Sequence, residues 1–253
     1  CFMIDAISYL AVIASLLAMD VPARTPAARD TRVLDELRVA FPYVSRFAPV
    51  RSALLLLSLV SIMGMPYTVL MPALATTLLH GGPHTLGFLM TASGVGALAG
   101  ALYLASRRTV LGLGRVMMWS TTVFGAGLVA FSFARTLWMA LIILPAIGAG
   151  MMITMAATNT ILQTVVDEEL RGRVMAFYTM AFLGTAPIGS LLAGVAGERV
   201  GPTTTILIGG MCCLAAAAWF ALRLPALRVE VRPIYLERGI LAAAEVDAST
   251  KVL

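Results

Sequence analysis

The polar side chains with the most informative spacing lie in one apolar stretch of this 253-residue chain. Thr154, Thr158, Asn159 and Gln163 recur there at helical spacing, and Asn159 and Gln163 are i, i+4 neighbours that share a helix face. Hydroxyl and amide groups act by hydrogen bonding rather than by exchanging protons at neutral pH. They could line a polar path or bond to an adjacent helix. The spacing alone leaves both interpretations open.

Three further side chains are candidates for the same path. Asp5 is an ionisable residue inside an apolar stretch, where such groups are costly and usually functional. It lies near the end of that stretch, so it could also reach water or cap a neighbouring helix. Tyr67 stands between Pro66 and Pro72, which free backbone carbonyls toward a cavity. Tyr178 lies near the end of another apolar stretch.

Residues for catalysis or metal binding are sparse. A hydrolase needs a nucleophile beside a base, and a metal site needs clustered ligands. The two histidines, His80 and His84, flank a Gly-Gly-Pro run that disfavours a helix, so we interpret them as solvated loop residues. The three cysteines show neither metal spacing nor a disulfide pattern, and no phosphate-binding or dinucleotide motif occurs. We therefore expect no enzymatic activity, no cofactor and no metal.

The composition indicates that lipid surrounds these residues. The chain is 60% hydrophobic and 12% charged, with a mean hydropathy of +0.92. Soluble domains carry about 25% charged residues, so a water-soluble fold could not cover this much apolar surface. The net charge of +5 is spread between apolar runs and forms no basic stripe with aromatics, which argues against nucleic acid.

The elements that must position the polar residues are membrane spans. A bilayer core about 30 Å thick needs about 20 apolar residues as a helix. Seven stretches approach this length: residues 1–19, 53–79, 86–105, 116–134, 137–166, 174–197 and 203–222. They are too long and too evenly apolar for barrel strands. The predicted fold class is all-α, a polytopic membrane helical bundle of about seven transmembrane helices.

Arginine placement predicts the orientation. Residues 20–52 hold six arginines, the next connection holds no Lys or Arg, and rich and poor connections then alternate to the end. The positive-inside rule assigns the rich connections to the cytoplasm. We expect a multi-pass protein of the cell membrane, the bacterial inner membrane, with a cytoplasmic C-terminus.

Two segments outside the spans are also predicted. Residues 20–52 form a cytoplasmic loop with an amphipathic helix that starts at Arg32 after the N-cap Thr31 and is kinked or ended by Pro42. Its apolar face comprises Leu34, Leu37, Phe41 and Val44. Residues 224–253 form a cytoplasmic tail that contains a short ordered piece.

Several sequence runs resemble a known family. "FMIDAISYL", "DEELRGRVMAFYTMAFLGTAPIGSLLAG" and "RPIYLERGI" resemble the major facilitator superfamily, in the branch of the enterobactin exporter and the transmembrane secretion effectors. The resemblance runs from about Phe2 to Ile240. It implies that residues 1–19 are the last helix of a first bundle and that residues 53–223 are the C-terminal six-helix bundle. The first half of the same protein is then an implied partner.

The resemblance also suggests a gate. Members carry a second-half loop motif with a Gly, an acid and a basic cluster, but "GALYLASRRTVLGLGRV" here contains no acid. Acids on the same membrane face are candidate substitute partners, so this charge cluster could hold an inner gate shut. It could equally serve topology and solvation. The candidates are Arg107, Arg108, Arg115, Asp167, Glu168, Glu169, Arg171 and Arg173.

The resemblance implies a function. Such proteins are secondary transporters whose two bundles rock around a central cavity, and this branch suggests export of small amphipathic molecules such as siderophores or drugs. The alternative is a non-transporting membrane scaffold or assembly subunit. That alternative predicts no central polar cavity and tolerance of changes at Asn159, Gln163 and Tyr67.

Overall fold

A computed structural model describes residues 2–19, 33–79, 81–107 and 109–240 of the chain, with the side chains of residues 2–7 and 33–39 left out. Within these ranges the structure is helical, with no strand. The α-helices are α1 (Phe2–Leu17), α2 (Val33–Arg46), α3 (Ala48–Leu59), α4 (Tyr67–Thr77), α5 (Pro83–Ser106), α6 (Leu113–Ser132), α7 (Leu137–Val165), α8 (Glu168–Thr179), α9 (Ala186–Val200) and α10 (Pro202–Glu237).

The all-α bundle predicted from the sequence is confirmed, with a different count of spans. In the described ranges six helical segments are long and apolar enough to cross a membrane. The predicted first span corresponds to α1, which has 16 residues in the described part of the chain. The contacts divide the chain into two units, Cys1–Glu36 and Leu37–Leu253. All six long spans belong to the second unit.

Two of the six spans contain a π-helical turn. The first π turn, Val60–Gly64, joins α3 to α4, and the second π turn, Met180–Gly184, joins α8 to α9. Each precedes a proline, and a proline ring clashes with the carbonyl four residues earlier. For Pro66 and Pro187 that carbonyl lies inside the π turn. The wider turn thus accommodates each proline.

The other four spans are continuous α-helices in contact through glycine. A Cβ at Gly96 of α5 would collide with the Pro145 carbonyl of α7, and a Cβ at Gly148 of α7 would collide with the Ser93 carbonyl of α5. Glycine is therefore required for this close approach of two backbones. Similar contacts join α7 to α6 and α6 to α10.

The last helix does not end near residue 222 but continues to Glu237 through Pro225 and Pro233. Each proline removes one backbone donor, but Leu224 and Leu227 are buried in the core and their packing offsets that loss. The predicted boundary after residue 223 therefore falls inside α10. Residues 241–253 lie outside the described part of the chain.

Two local predictions also differ from the structure. The Gly-Gly-Pro run starts a helix, since Pro83 is the first residue of α5 and proline suits that position. His84 is therefore helical, whereas His80 lies outside the described residues. The helix α2 contains Pro42 without ending there; Val44 is buried, while Phe41, predicted on the same apolar face, is 60% exposed.

Candidate functional site

Three of the predicted path residues lie close together on α7 and α8. The Gln163 amide Nε2 donates to Asn159 Oδ1, one helical turn away. The Tyr178 hydroxyl donates to the Met155 carbonyl at 3.3 Å, and the Asn159 side chain is close enough to interact with that hydroxyl. We call Asn159, Gln163 and Tyr178 the amide–tyrosine cluster. Gln163 is exposed and the other two are half-buried, so the cluster lies at the surface of the second unit.

The polar residues of α7 lie on two different faces of the helix, one buried and one more exposed. Thr154 is buried, and its hydroxyl lies 2.7 Å from Ser120 Oγ and 3.2 Å from Thr121 Oγ1 on α6. Thr158 is buried as well and donates to the Thr154 carbonyl. Thr154 therefore joins α7 to α6, Thr158 bonds only its own helix, and the two amides lie on a more exposed side of α7. Sequence reasoning missed Ser120 and Thr121, although two hydroxyls in an apolar run are a usable signal.

Tyr67 lies apart from the amide–tyrosine cluster. It is buried, its hydroxyl is 2.9 Å from Ser93 Oγ on α5, and its ring packs edge-on against Phe124. The adjacent cavity measures about 10 Å³, which is about the size of one water probe. In this structure Tyr67 therefore connects α4 to α5 and α6. Asp5 lies on α1, and its side chain is outside the described residues.

The predicted charge cluster is divided between separate contacts. Arg238 Nη2 donates to Asp167 Oδ1 and to the Val166 carbonyl, both at 3.1 Å, which ties the end of α10 to the α7–α8 connection. Glu168 pairs with Arg171 on the same helix at 3.7 Å. Sequence reasoning missed Arg238, which is 71 residues from Asp167.

The loop arginines have other partners. Arg107 donates to the Leu111 carbonyl at 2.8 Å and to the Tyr103 hydroxyl at 3.3 Å, both close in sequence. In the described part of the chain no ion pair joins Arg107 or Arg115 to Asp167, Glu168 or Glu169. Of the remaining gate candidates, Glu169 and Arg173 lie on α8, and Arg108 is outside the described residues.

The Asp167–Arg238 pair also affects a tyrosine. Burial raises the pKa of Tyr43 above its usual value, the Asp167 carboxylate raises it further, and Arg238 opposes both. Tyr43, Asp167 and Arg238 line one cavity of about 490 Å³. Among the side chains that the structure describes, no group of three or more His, Cys, Asp or Glu could hold a metal ion.

Comparison with known proteins gives several relatives. The staphyloferrin A transporter of Staphylococcus aureus (strain NCTC 8325 / PS 47) is 25% identical over 232 residues, which is 90% of this chain and 57% of that protein. The multidrug efflux pump Tap of Mycolicibacterium fortuitum is 26% identical over 169 residues, 67% of this chain and 37% of the pump. The Tap pump of Mycobacterium tuberculosis (strain ATCC 25618 / H37Rv) is 30% identical over 151 residues, 59% of this chain and 35% of the pump.

The chain thus spans between about a third and somewhat over half of the length of these relatives. No solved structure gives a significant match. A family model described as transmembrane secretion effector matches residues 1–246. That match covers nearly the whole chain and confirms the resemblance of the sequence runs quoted above. The chain therefore belongs to the transmembrane secretion effector family of the major facilitator superfamily.

Proposed function

We propose that this chain is part of a secondary transporter that exports small amphipathic molecules, such as siderophores or drugs, by alternating access. The amide–tyrosine cluster carries the proposal. Its amides and hydroxyl offer hydrogen bonds but no fixed charge, a chemistry suited to varied uncharged or amphipathic ligands. Such groups are costly against lipid tails, so they face either a water-filled path or another part of the protein.

The helix breaks support the alternating-access part of the proposal. Transporters bend or slide helices around a central site and often use interrupted helices for it. The spans Ala48–Thr77 and Glu168–Val200 both contain a π turn. In the span Glu168–Val200, only 11% of an 18-residue apolar segment is buried by the described structure. That open surface is where we expect the first half of the same protein to dock.

The relatives support the substrate class and the direction. One relative is named for a siderophore, staphyloferrin A, and two are named as multidrug efflux pumps. The positive-inside rule supports a cytoplasmic location for the arginine-bearing end of α10, in a bacterial inner membrane. The proposed partners are therefore the lipid bilayer, the first half of the protein and a small amphipathic substrate.

The test is an efflux assay with the complete gene that encodes this chain, in a host lacking its own drug pumps. Loss of ethidium fluorescence and release of staphyloferrin A are followed with the native protein and with Asn159→Leu. We expect efflux of at least one compound and a fall of about tenfold in Asn159→Leu, since a hydrogen bond contributes about 1 kcal/mol and often more when its partners are left unpaired. Thr164→Ala is the control, because Thr164 bonds only the Thr160 carbonyl of its own helix.

Three results would count against the proposal in different ways. Efflux of neither compound contradicts export of these classes. Efflux that is equal in Asn159→Leu and native protein places the substrate path elsewhere. If the protein affects the membrane but transports neither compound, and if this effect survives changes at Asn159, Gln163 and Tyr67, the non-transporting scaffold is favoured.

A further inference from the structure

A third cavity lies between α3, α6, α7 and α10. Its volume is about 430 Å³, within the range of about 300–1,000 Å³ typical of small-molecule sites. Its wall is apolar, with Met117, Phe220 and Leu224 buried in the core. Its rim carries three arginines, Arg115, Arg228 and Arg232. The cavity therefore combines an apolar interior with a cationic edge.

Two of the rim arginines, Arg115 and Arg228, are the residues that favour a bound anion. None of the described residues that line the cavity is acidic. Arg115 and Arg228 are close enough for their charges to repel each other. Neither of these two has a hydrogen bond or ion pair with another described residue. Like charges held together in partly buried positions are stabilised when an anion binds between them.

The start of α6 adds to the positive potential. Gly112 and Gly114 line the cavity together with Arg115, so the first turn of the helix borders it. Gly112 has a positive φ of 76° and no side chain to cap the helix, and the first turn holds no acidic residue. A helix N-terminus carries a partial positive charge that favours anions. Here this partial charge adds to the positive potential of the neighbouring arginines.

We propose that this cavity binds one anionic phospholipid from the leaflet at the arginine-bearing end of α10. The lipid phosphate lies among Arg115, Arg228 and Arg232, and one acyl chain lies against the wall at Met117, Phe220 and Leu224. Basic pockets between transmembrane helices bind anionic headgroups through this combination of charges. A soluble phosphate would use the rim alone, and a zwitterionic lipid would bring no net negative charge to Arg115 and Arg228. The site is independent of the transported substrate.

The test uses the full protein, purified in detergent and depleted of lipid, with phosphatidylglycerol as the probe. Native mass spectrometry measures its dissociation constant for the native protein and for Arg228→Gln/Arg232→Gln. We expect the double variant to bind at least about tenfold more weakly, from the loss of two arginine–phosphate contacts. The control is Arg223→Gln, on the same helix but exposed and outside the cavity; its affinity should stay within about twofold.

Other outcomes overturn the proposal. Equal binding of phosphatidylcholine would show that charge does not select the lipid. Competition by glycerol 3-phosphate at the same concentration as the lipid would assign the site to a soluble phosphate. Equal loss in Arg223→Gln would show general attraction to a basic surface. If the double variant does not stay monodisperse, Arg228→Gln alone is measured and should weaken binding about threefold to fivefold.

Discussion

The second unit contains two kinds of span that differ in the regularity of the helix. Helices α5 and α7 are continuous, and each presents a glycine to a carbonyl of the other at positions 96 and 148. The spans Ala48–Thr77 and Glu168–Val200 are interrupted by π turns. At these glycines the two backbones are in direct contact, so any added side-chain atom would collide with backbone. A π turn holds the backbone less regularly and permits a change of bend.

The two π turns contact each other. Ser61 of the first π turn is fully buried and donates to the Phe182 carbonyl of the second at 2.6 Å. The residue five positions after Phe182 is Pro187, which has no N–H to donate, so Ser61 supplies a donor there. The first π turn also depends on glycine, since a Cβ at Gly209 would collide with the Met63 carbonyl. The two interrupted spans therefore contact each other at their π turns.

The largest effect is expected in the continuous pair. Gly148→Leu places side-chain atoms against the Ser93 backbone, so α5 and α7 cannot approach, at a cost of about 3 kcal/mol or more. We expect a marked fall in monodisperse protein in detergent and in the unfolding temperature. The control is Gly94→Leu, where a Cβ meets nothing within 4 Å. Equal behaviour of the two variants would contradict the close contact between α5 and α7 at Gly148.

A smaller effect is expected between the π turns. Ser61→Ala removes the buried donor to the Phe182 carbonyl and should cost about 1–2 kcal/mol of folding free energy. Thermal unfolding in detergent measures it. Thr76→Ala is the control, because this exposed hydroxyl bonds only the Pro72 and Ala73 carbonyls of its own helix. A shift no larger than that of Thr76→Ala would mean that the two π turns are not energetically coupled.

The smallest effect on stability is expected at the arginine of the α10 end. Arg238→Gln breaks a pair with the 75%-exposed Asp167, and such exposed pairs contribute about 0.2–1 kcal/mol. It also removes the positive charge that lowers the pKa of Tyr43, so this pKa should rise further. Because the raised pKa favours the protonated folded state, this part of the stability persists up to about pH 10 and is lost only above it.

Tyrosinate absorbance at alkaline pH, taken as the difference from Tyr43→Phe, follows that ionisation. Asp167→Asn should shift it in the opposite direction, since the carboxylate raises the Tyr43 pKa. Glu169→Gln is the control, as that exposed acid is not among the charges acting on Tyr43. An unchanged Tyr43 titration in Arg238→Gln would contradict the contact between α10 and the α7–α8 connection.

The sequence predicted the features that follow from local composition. Hydropathy located the six long spans, and i, i+4 spacing placed Asn159 beside Gln163. The π turns were not predicted, because a proline alone does not show whether a helix widens, kinks or stays regular: Pro145 lies inside continuous α7, whereas Pro66 follows a π turn. The partners of Asp167 and Tyr67, at Arg238 and Ser93, required the tertiary packing of distant helices.

The length of α10 has a mechanical consequence. Its 36 residues measure about 54 Å as a helix, whereas the hydrocarbon core is about 30 Å thick. A substantial part of α10 therefore extends beyond the hydrocarbon core. At the end of this helix, Arg238 donates a hydrogen bond to the Val166 carbonyl. We expect a change in the tilt of α10, which responds to bilayer thickness, to act on the α7–α8 connection through this contact of Arg238.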